Sequence, residues 1–185
     1  MKNLFASLVV AGAMLASLPA VAQTRAASTG GNSPHETTSA VIGGNRDGNR
    51  VTITYGRPSA KGRKIWGGLV PWGRAWRMGS DEATTLIVQK PITIGDTTVP
   101  EGAYVLYMVP DETGTTKLAI SKKLGGWGIP VDEKNDLARV DMKKDATDKM
   151  VEQFTVTVEK GASDGGVIKA AWENTSYSVA FALKK

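Results

Sequence analysis

Apolar and polar residues alternate with a period of two in several short segments of the chain, as expected for β-strands that bury one face. The clearest examples are residues 51–55, 154–158 and 177–181. Further runs rich in β-branched, apolar or aromatic residues cover 85–88, 92–94, 97–99, 103–109, 118–121, 138–142, 167–172 and 177–183. Residues 144–153 are the one candidate helix, with few apolar positions to support it.

Turn-forming residues separate these segments. Asp47-Gly48 is a typical hairpin dipeptide, Gly95-Asp96 predicts a tight turn, and residues 173–176 stand where a turn would join the last two strands. The chain shows no strand–helix–strand alternation and no internal repeat. It is therefore predicted to be all-β: an antiparallel β-sandwich or barrel-like fold of about eight to ten short strands with a long Trp/Arg/Gly-rich loop.

The N-terminus has the pattern of a secretory signal peptide. Lys2 precedes an apolar stretch at 4–18, and Ala20-Val21-Ala22 is a small-x-small cleavage site. We expect a signal peptide over residues 1–22, a flexible tether over 23–36 and one β-rich domain over 37–185, located in the periplasm or secreted. A retained membrane anchor is the alternative, and no membrane span is expected after cleavage. The chain has no cysteine, which excludes a lipidated N-terminus.

Positive charge is concentrated in one segment. Residues 57–77 hold six basic side chains and no acidic one, whereas the net charge of the whole chain is +5. The same segment holds three of the five tryptophans, and its glycines and prolines make a regular strand or helix unfavourable over much of its length. A long irregular connection inside a compact domain is uncommon and often functional.

Two interpretations of this loop stand side by side. Indole faces stack on sugar rings and planar groups while guanidinium groups bind carboxylate or phosphate, which predicts a ligand site. Alternatively, the indoles close one open end of the sandwich and the arginine stems lie over them. The candidate ligand-binding residues are Arg57, Arg63, Trp66, Trp72, Arg74, Trp76, Arg77, Asp81 and Glu82.

Side chains able to perform acid–base chemistry are few. His35 is the only histidine and lies at the edge of the predicted tether, so Ser-His-Asp and Cys-His catalysis and zinc sites of histidine and cysteine are not expected. A carboxylate pair of the glycosidase type remains open, with candidates Asp81, Glu82, Glu101, Asp132, Glu133 and Asp136. No metal and no cofactor is predicted. Nucleic acid is not an expected partner, since no recognition motif accompanies the basic loop.

Several motifs resemble a known family. The segments GRPSAKGRKIWGGLVPWGRAWRMGSDEATTL, VPEGAYVLYMVP, GWGIPVDEKNDLARV and AAWENTSYSVAF are together similar to the bacterial domain of unknown function numbered 2911, over about residues 33–181. The resemblance implies an exported, β-rich protein and supplies no activity or site residue. Family members commonly carry an aromatic other than Trp at positions 66 and 72, and Asn in place of Asp81. A mechanism that requires indole or this carboxylate is therefore not implied.

The sequence favours a non-catalytic binding module of the bacterial envelope. Its partner is expected to be an anionic small molecule, a glycan or an envelope protein, bound through the segment 57–82. The alternatives are a carboxylate-dependent hydrolase of envelope carbohydrate and a purely structural or assembly module.

Overall fold

The computed structural model describes residues 33–44, 46–162 and 164–184. The predicted signal peptide and most of the predicted tether lie outside the described residues. The strands are His35–Ile42 (β1), Asn49–Gly56 (β2), Thr85–Val88 (β3), Ile92–Ile94 (β4), Thr97–Val99 (β5), Gly102–Val109 (β6), Lys117–Ser121 (β7), Asp136–Asp141 (β8), Lys143–Lys160 (β9) and Gly165–Leu183 (β10). A single 3₁₀ turn, Glu133–Asn135, precedes β8.

The strands form two antiparallel sheets. The first sheet has the order β1-β2-β3-β6-β7-β8 and the second has the order β5-β4-β10-β9. Neither sheet closes on itself, so the predicted all-β fold is confirmed in its sandwich form. In the described part of the chain, no helix has the length and apolar character needed to cross a bilayer.

Most predicted strands coincide with observed ones, and the tight turn at 95–96 joins β4 to β5. Strand β1 was not predicted. It begins at His35, within the segment expected to be a tether, and pairs along its whole length with β2. Only its last residue, Ile42, is fully buried. The alternation that identifies a half-buried strand is therefore too weak here to be seen in sequence.

The helix considered over residues 144–153 was wrong, because this segment is the first half of β9. Residues 143–146 pair with β10 at 175–178. Nearly all side chains from Lys143 to Met150 are exposed, because this end of the hairpin has no packed face. Without a buried face there is no period-two pattern, and the sequence signal of a strand is lost.

The turn predicted at residues 173–176 was also wrong, because the segment continues β10. The register against β9 shifts on both sides of Glu173, whose φ of 51° is left-handed. These are the features of a β-bulge, which bends a strand without ending it. The bulge directs the Glu173 carboxylate towards the β2–β3 connection, where Oε1 accepts a hydrogen bond of 3.0 Å from the Ile65 N–H.

The hydrophobic core lies between the two sheets. Its largest fully buried side chains include Tyr55 of β2, Phe154 of β9, and Trp172 and Tyr177 of β10. The Tyr55 and Phe154 rings meet edge to face with centroids 5.7 Å apart. The two sheets are thus joined by aromatic packing at the side where β2 approaches β9.

The outer edge of β9 is sealed by groups from the first sheet and the connection that follows β2. The N–H groups of Phe154, Val156 and Val158 donate respectively to Pro58 O at 2.9 Å, Tyr55 Oη at 2.9 Å and Thr38 Oγ1 at 3.3 Å. These N–H groups recur at every second residue because successive backbone donors of a strand point in opposite directions. Side chains and loop backbone therefore take the place of a fifth strand.

Tyr55 is central to this seal. Burial raises the pKa of the Tyr55 phenol from 10.0 to about 12, while the hydrogen bond with the Val156 backbone acts in the opposite direction. The folded protein therefore holds the neutral phenol above the pH at which an exposed tyrosine ionises.

This difference predicts a loss of stability at high pH. Between about pH 10 and 12 the unfolded chain releases the Tyr55 proton and the folded protein keeps it, so the free energy of unfolding falls as pH rises. We expect the wild-type protein to lose about 2 to 3 kcal/mol more than Tyr55→Phe over this range. Urea unfolding at several pH values measures the difference. Parallel losses in the two proteins would contradict the assignment.

Candidate functional site

The connection between β2 and β3, residues 57–84, folds over one end of the sandwich. Backbone hydrogen bonds fix it at three places: Ala60 N to Glu152 O at 2.8 Å, Gly73 N to Pro110 O at 2.8 Å, and Trp76 N to Met108 O at 2.7 Å. The connection is therefore held against both sheets along its length. It lacks regular structure and is nevertheless an integral part of the domain.

Trp66 anchors this connection in the core. Its side chain is buried, and its Nε1 donates to Trp172 O at 3.2 Å. Its ring meets Tyr177 edge to face at 4.9 Å and stacks with Trp72 at 6.3 Å. Lys144 Nζ lies 5.5 Å from the centroid of the Trp72 ring. Both indoles thus close the end of the sandwich, as the structural interpretation of the loop expected.

Trp76 extends the aromatic cluster to the surface. Its ring stacks on Trp172 at 5.8 Å and meets Phe154 edge to face at 5.0 Å. Unlike Trp66, it is only partly buried and borders open space. One tryptophan of the loop therefore belongs both to the core and to the wall of a cavity.

The cavity has a volume of about 460 Å³ and lies between the start of the described chain, the β2–β3 connection and the loop after β7. Four of its lining residues are basic, and none is acidic. The lining consists of Ser33, Pro34, Arg57, Pro58, Ser59, Lys61, Arg63, Leu69, Ala75, Trp76, Arg77, Gly79, Ser80, Ile129 and Trp172.

Among the described residues, one neighbouring carboxylate pairs with a cation of the cavity, and two others contact a backbone N–H or His35. Glu36 forms an ion pair with Arg57 at 2.6 Å, Glu152 accepts from the Lys61 backbone N–H at 2.8 Å, and Glu82 Oε2 lies 2.7 Å from His35 Nε2. Within the described residues, no ion pair joins Lys61, Arg63 or Arg77 to a carboxylate. The cavity therefore carries uncompensated positive charge.

The four cations differ in how much of their hydrogen-bonding capacity is in use. Arg57 is committed to the fold: beyond Glu36 it donates to Phe154 O at 3.2 Å and to Thr155 Oγ1 at 2.9 Å. Arg63 donates to the carbonyls of Ala60 and Ser59 at 2.9 and 2.7 Å, which orients its guanidinium and leaves its charge unbalanced.

Arg77 lies at the other side of the cavity. Its Nη1 is 3.4 Å from Trp127 O, and its guanidinium carbon is 5.8 Å from the centroid of the Trp127 ring. The side chain is thus held in place by an indole and a carbonyl, neither of which carries the opposite charge. Arg63 and Arg77 are preorganised cations.

The segment 78–81 forms a strained part of the wall. Met78 and Asp81 have left-handed φ values of 54° and 62°, which side chains with a Cβ adopt at a cost in free energy. The Ser80 carbonyl packs so closely on Gly56 that a Cβ there would overlap it. Such strain persists only where the surrounding structure imposes it and is frequent at functional sites.

Unpartnered polar atoms accumulate at the same place. Ser80 Oγ and Asp81 Oδ2 are buried and have no hydrogen-bond partner in the described protein. Both ring nitrogens of His35 are buried as well, and the close contact with Glu82 lacks hydrogen-bond alignment. Buried polar groups are normally hydrogen-bonded, so these atoms are exceptions that are concentrated at one place in the fold.

His35 differs from the expectation that it belongs to a tether. It is the first residue of β1, its side chain is 13% exposed, and it stands next to Glu82. The imidazole is therefore held by the fold. The residues described provide no group of three or more histidine, cysteine or carboxylate side chains placed to hold a metal ion.

The predicted site residues fall into four groups. Arg57, Arg63, Trp76 and Arg77 line the cavity. Trp66 and Trp72 pack beside it, whereas Asp81 and Glu82 follow the lining residue Ser80 in the chain without lining the cavity, and Glu82 contacts His35. Arg74 is exposed and is absent from the lining. The sequence did not identify Ser80, Leu69, Ile129 or Trp172 as lining residues, since only tertiary packing brings them together.

Fold and site together define a two-sheet β-sandwich protein with a basic cavity at one end. Residues 33–181 match the family described as Protein of unknown function (DUF2911), and the chain belongs to this family. The match confirms the resemblance carried by the sequence motifs. No curated protein and no solved structure matches the chain significantly.

The division between core and surface indoles predicts unequal effects on stability. Trp66→Ala removes a buried ring with its aromatic contacts and should lower the free energy of unfolding by about 3 to 5 kcal/mol. Trp127→Ala is the matched control, because Trp127 is 57% exposed, and should change stability by less than about 1 kcal/mol. Urea unfolding followed by circular dichroism measures both. Equal losses would contradict a structural role for Trp66.

Proposed function

We propose that this protein is a non-catalytic binding protein for a small organic anion. The observation that carries the proposal is the cavity of about 460 Å³, which is lined by four basic residues and no acidic one. A cavity of this volume suits a small-molecule ligand. The signal peptide predicted over residues 1–22 supports a role in the bacterial envelope, in which case the ligand would be an envelope or periplasmic solute.

The lining specifies the chemistry of the ligand. Trp76, Leu69 and Ile129 present apolar surface, while Arg63 and Arg77 present guanidinium groups. Guanidinium forks bind carboxylate or phosphate through paired hydrogen bonds. The ligand that satisfies both is a carboxylate or phosphate joined to a body with an apolar face.

Ser80 supplies a polar contact that the protein itself does not use. Its hydroxyl is buried in the wall of the cavity without a hydrogen-bond partner. When the side chain rotates into the cavity, this hydroxyl can donate to an anionic oxygen of a ligand. Binding would therefore give the Ser80 hydroxyl a hydrogen-bond partner and would also neutralise positive charge in the cavity.

A carboxylate-dependent hydrolase receives less support. The cavity has no acidic lining residue, and Glu82 is placed against His35. Of the other candidates, Glu133 and Asp136 both bind Arg139, at 2.9 and 2.8 Å. No two candidate carboxylates are placed to face a substrate in the cavity.

Removing charge from the cavity should weaken anion binding. In the mature protein we expect the double variant Lys61→Gln/Arg63→Gln to bind hexuronate and sugar phosphates at least about tenfold more weakly than wild type. Arg74→Gln is the matched control, because it removes a cation of the same loop outside the cavity, and should bind within about twofold of wild type. Isothermal titration calorimetry measures each affinity.

Equal losses in the two variants would show that the loop attracts anions only by its general charge. Absence of binding in the wild-type protein to carboxylates and phosphates alike would overturn the proposed function and favour a docking or structural module.

Ser80→Ala tests the hydroxyl separately. We expect the affinity for the same anions to fall about three- to tenfold, because one hydrogen bond to a charged acceptor is lost. The free energy of unfolding of the unliganded protein should not fall, since the hydroxyl has no partner to lose. A loss of stability with unchanged affinity would assign Ser80 to the fold alone.

A further inference from the structure

A second, smaller cavity adjoins the first. It has a volume of about 180 Å³ and is formed largely by the loop at residues 123–132, together with β6 and the end of β7. Ile129 lines both cavities. Arg77 lines the first, and its guanidinium packs on the ring of Trp127, which lines the second. The side chains of Arg77, Trp127 and Ile129 therefore lie between the two cavities.

The loop that carries Trp127 is fixed to the wall of the first cavity. Ala83 N donates to Gly126 O at 3.1 Å, and Arg77 Nη1 approaches Trp127 O at 3.4 Å. Gly128 has a φ of 71°, and a Cβ there would lie 3.1 Å from the Cβ of Ala83 and 3.2 Å from that of Arg77. Glycine therefore permits the close approach that sets Trp127 beside the basic cavity.

Trp127 presents a large apolar ring to solvent. It is 57% exposed, and its neighbour Ile129 is 48% exposed. Exposed large apolar side chains grouped beside a cavity are typical of binding surfaces. An indole held by its backbone, with one face against a guanidinium, offers a rigid stacking platform.

The polar side chains around the Trp127 ring include both a positive and a negative charge. Lys123, Ser121 and Asp132 line the second cavity and provide donors and acceptors of both charges. Tyr107 also lines it, and its hydroxyl is already shared between Asp136 Oδ2 at 2.6 Å and Arg139 Nη2 at 2.7 Å. Burial, followed by the hydrogen bond to Asp136, raises the Tyr107 pKa to about 12. Because Lys123 and Asp132 bring opposite charges to its wall, this cavity suits a neutral polyhydroxylated ring better than a second anion.

We infer that the two cavities bind one ligand, an acidic saccharide of at least two residues. Its anionic group occupies the basic cavity beside Arg63, and a neutral sugar ring stacks on Trp127. This inference rests on the proposed function and names its ligand class. The anionic group is a carboxylate or a phosphate, since the guanidinium groups accept either.

The test compares three ligands on the mature protein: a free hexuronic acid, the same acid linked to a neutral hexose, and a neutral disaccharide. A second series replaces the acid with a hexose phosphate, free and linked to the same hexose. We expect the linked acid or linked phosphate to bind about tenfold more tightly than its free counterpart, because the second ring adds the stacking contact. The neutral disaccharide should show no comparable affinity. The series that binds more tightly identifies the anionic group.

Trp127→Ala should abolish the gain from the second ring, so that this variant binds the linked acid and the free acid within about twofold of each other. Met150→Ala is the matched control, because Met150 is 53% exposed on β9, outside both cavities, and should keep the gain. If the linked ligand binds no more tightly than the free acid, or if Trp127→Ala keeps the gain, the inference is wrong while the proposed anion site stands. If no acid binds, or if Lys61→Gln/Arg63→Gln binds the acid as tightly as wild type does, the proposed function itself is wrong.

Discussion

The fold depends on hydrogen-bond partners for the backbone groups along the outer edge of β9. A strand at the edge of a sheet presents unpaired backbone groups that must find partners. Here the partners are a hydroxyl from β1, a phenol from β2 and the backbone of the β2–β3 connection. The residues that complete this seal, Arg57 to Ser59, are also the first wall of the basic cavity. Cavity and fold therefore share one set of contacts.

This shared construction explains why the loop combines so many tryptophans and arginines. Trp66 and Trp72 bury the end of the sandwich, and Trp76 carries the same aromatic cluster out to the cavity. Arg57 serves the seal, whereas Arg63 and Arg77 are held by carbonyl groups and keep their charge available. The structural interpretation of the segment thus applies to Trp66, Trp72 and Arg57, while the proposed binding role concerns other residues of the same segment.

The sequence predicted the all-β class, most strand positions and the segment that walls the cavity. Two of its failures have a common physical cause, since β1 and the first half of β9 lack a regularly buried face and carry no period-two signal. Glu173 was assigned to a turn because a bulge and a turn favour similar residues. The sequence could not assign Ser80 and Ile129 to the cavity, because their place there depends on contacts between segments distant in the chain. His35 was misjudged because a neighbouring tether-like composition hid the start of a strand.

The groups that cover the edge of β9 come earlier in the sequence than the edge itself. The groups that cover the edge belong to residues 38–60, whereas the edge itself lies at 152–158. The residues that cover the edge are therefore synthesised before the edge itself, so they are available when the edge forms and can keep it from pairing with another copy of the chain. A chain lacking its first two strands would leave that edge open and would self-associate, although most of its core residues would still be present.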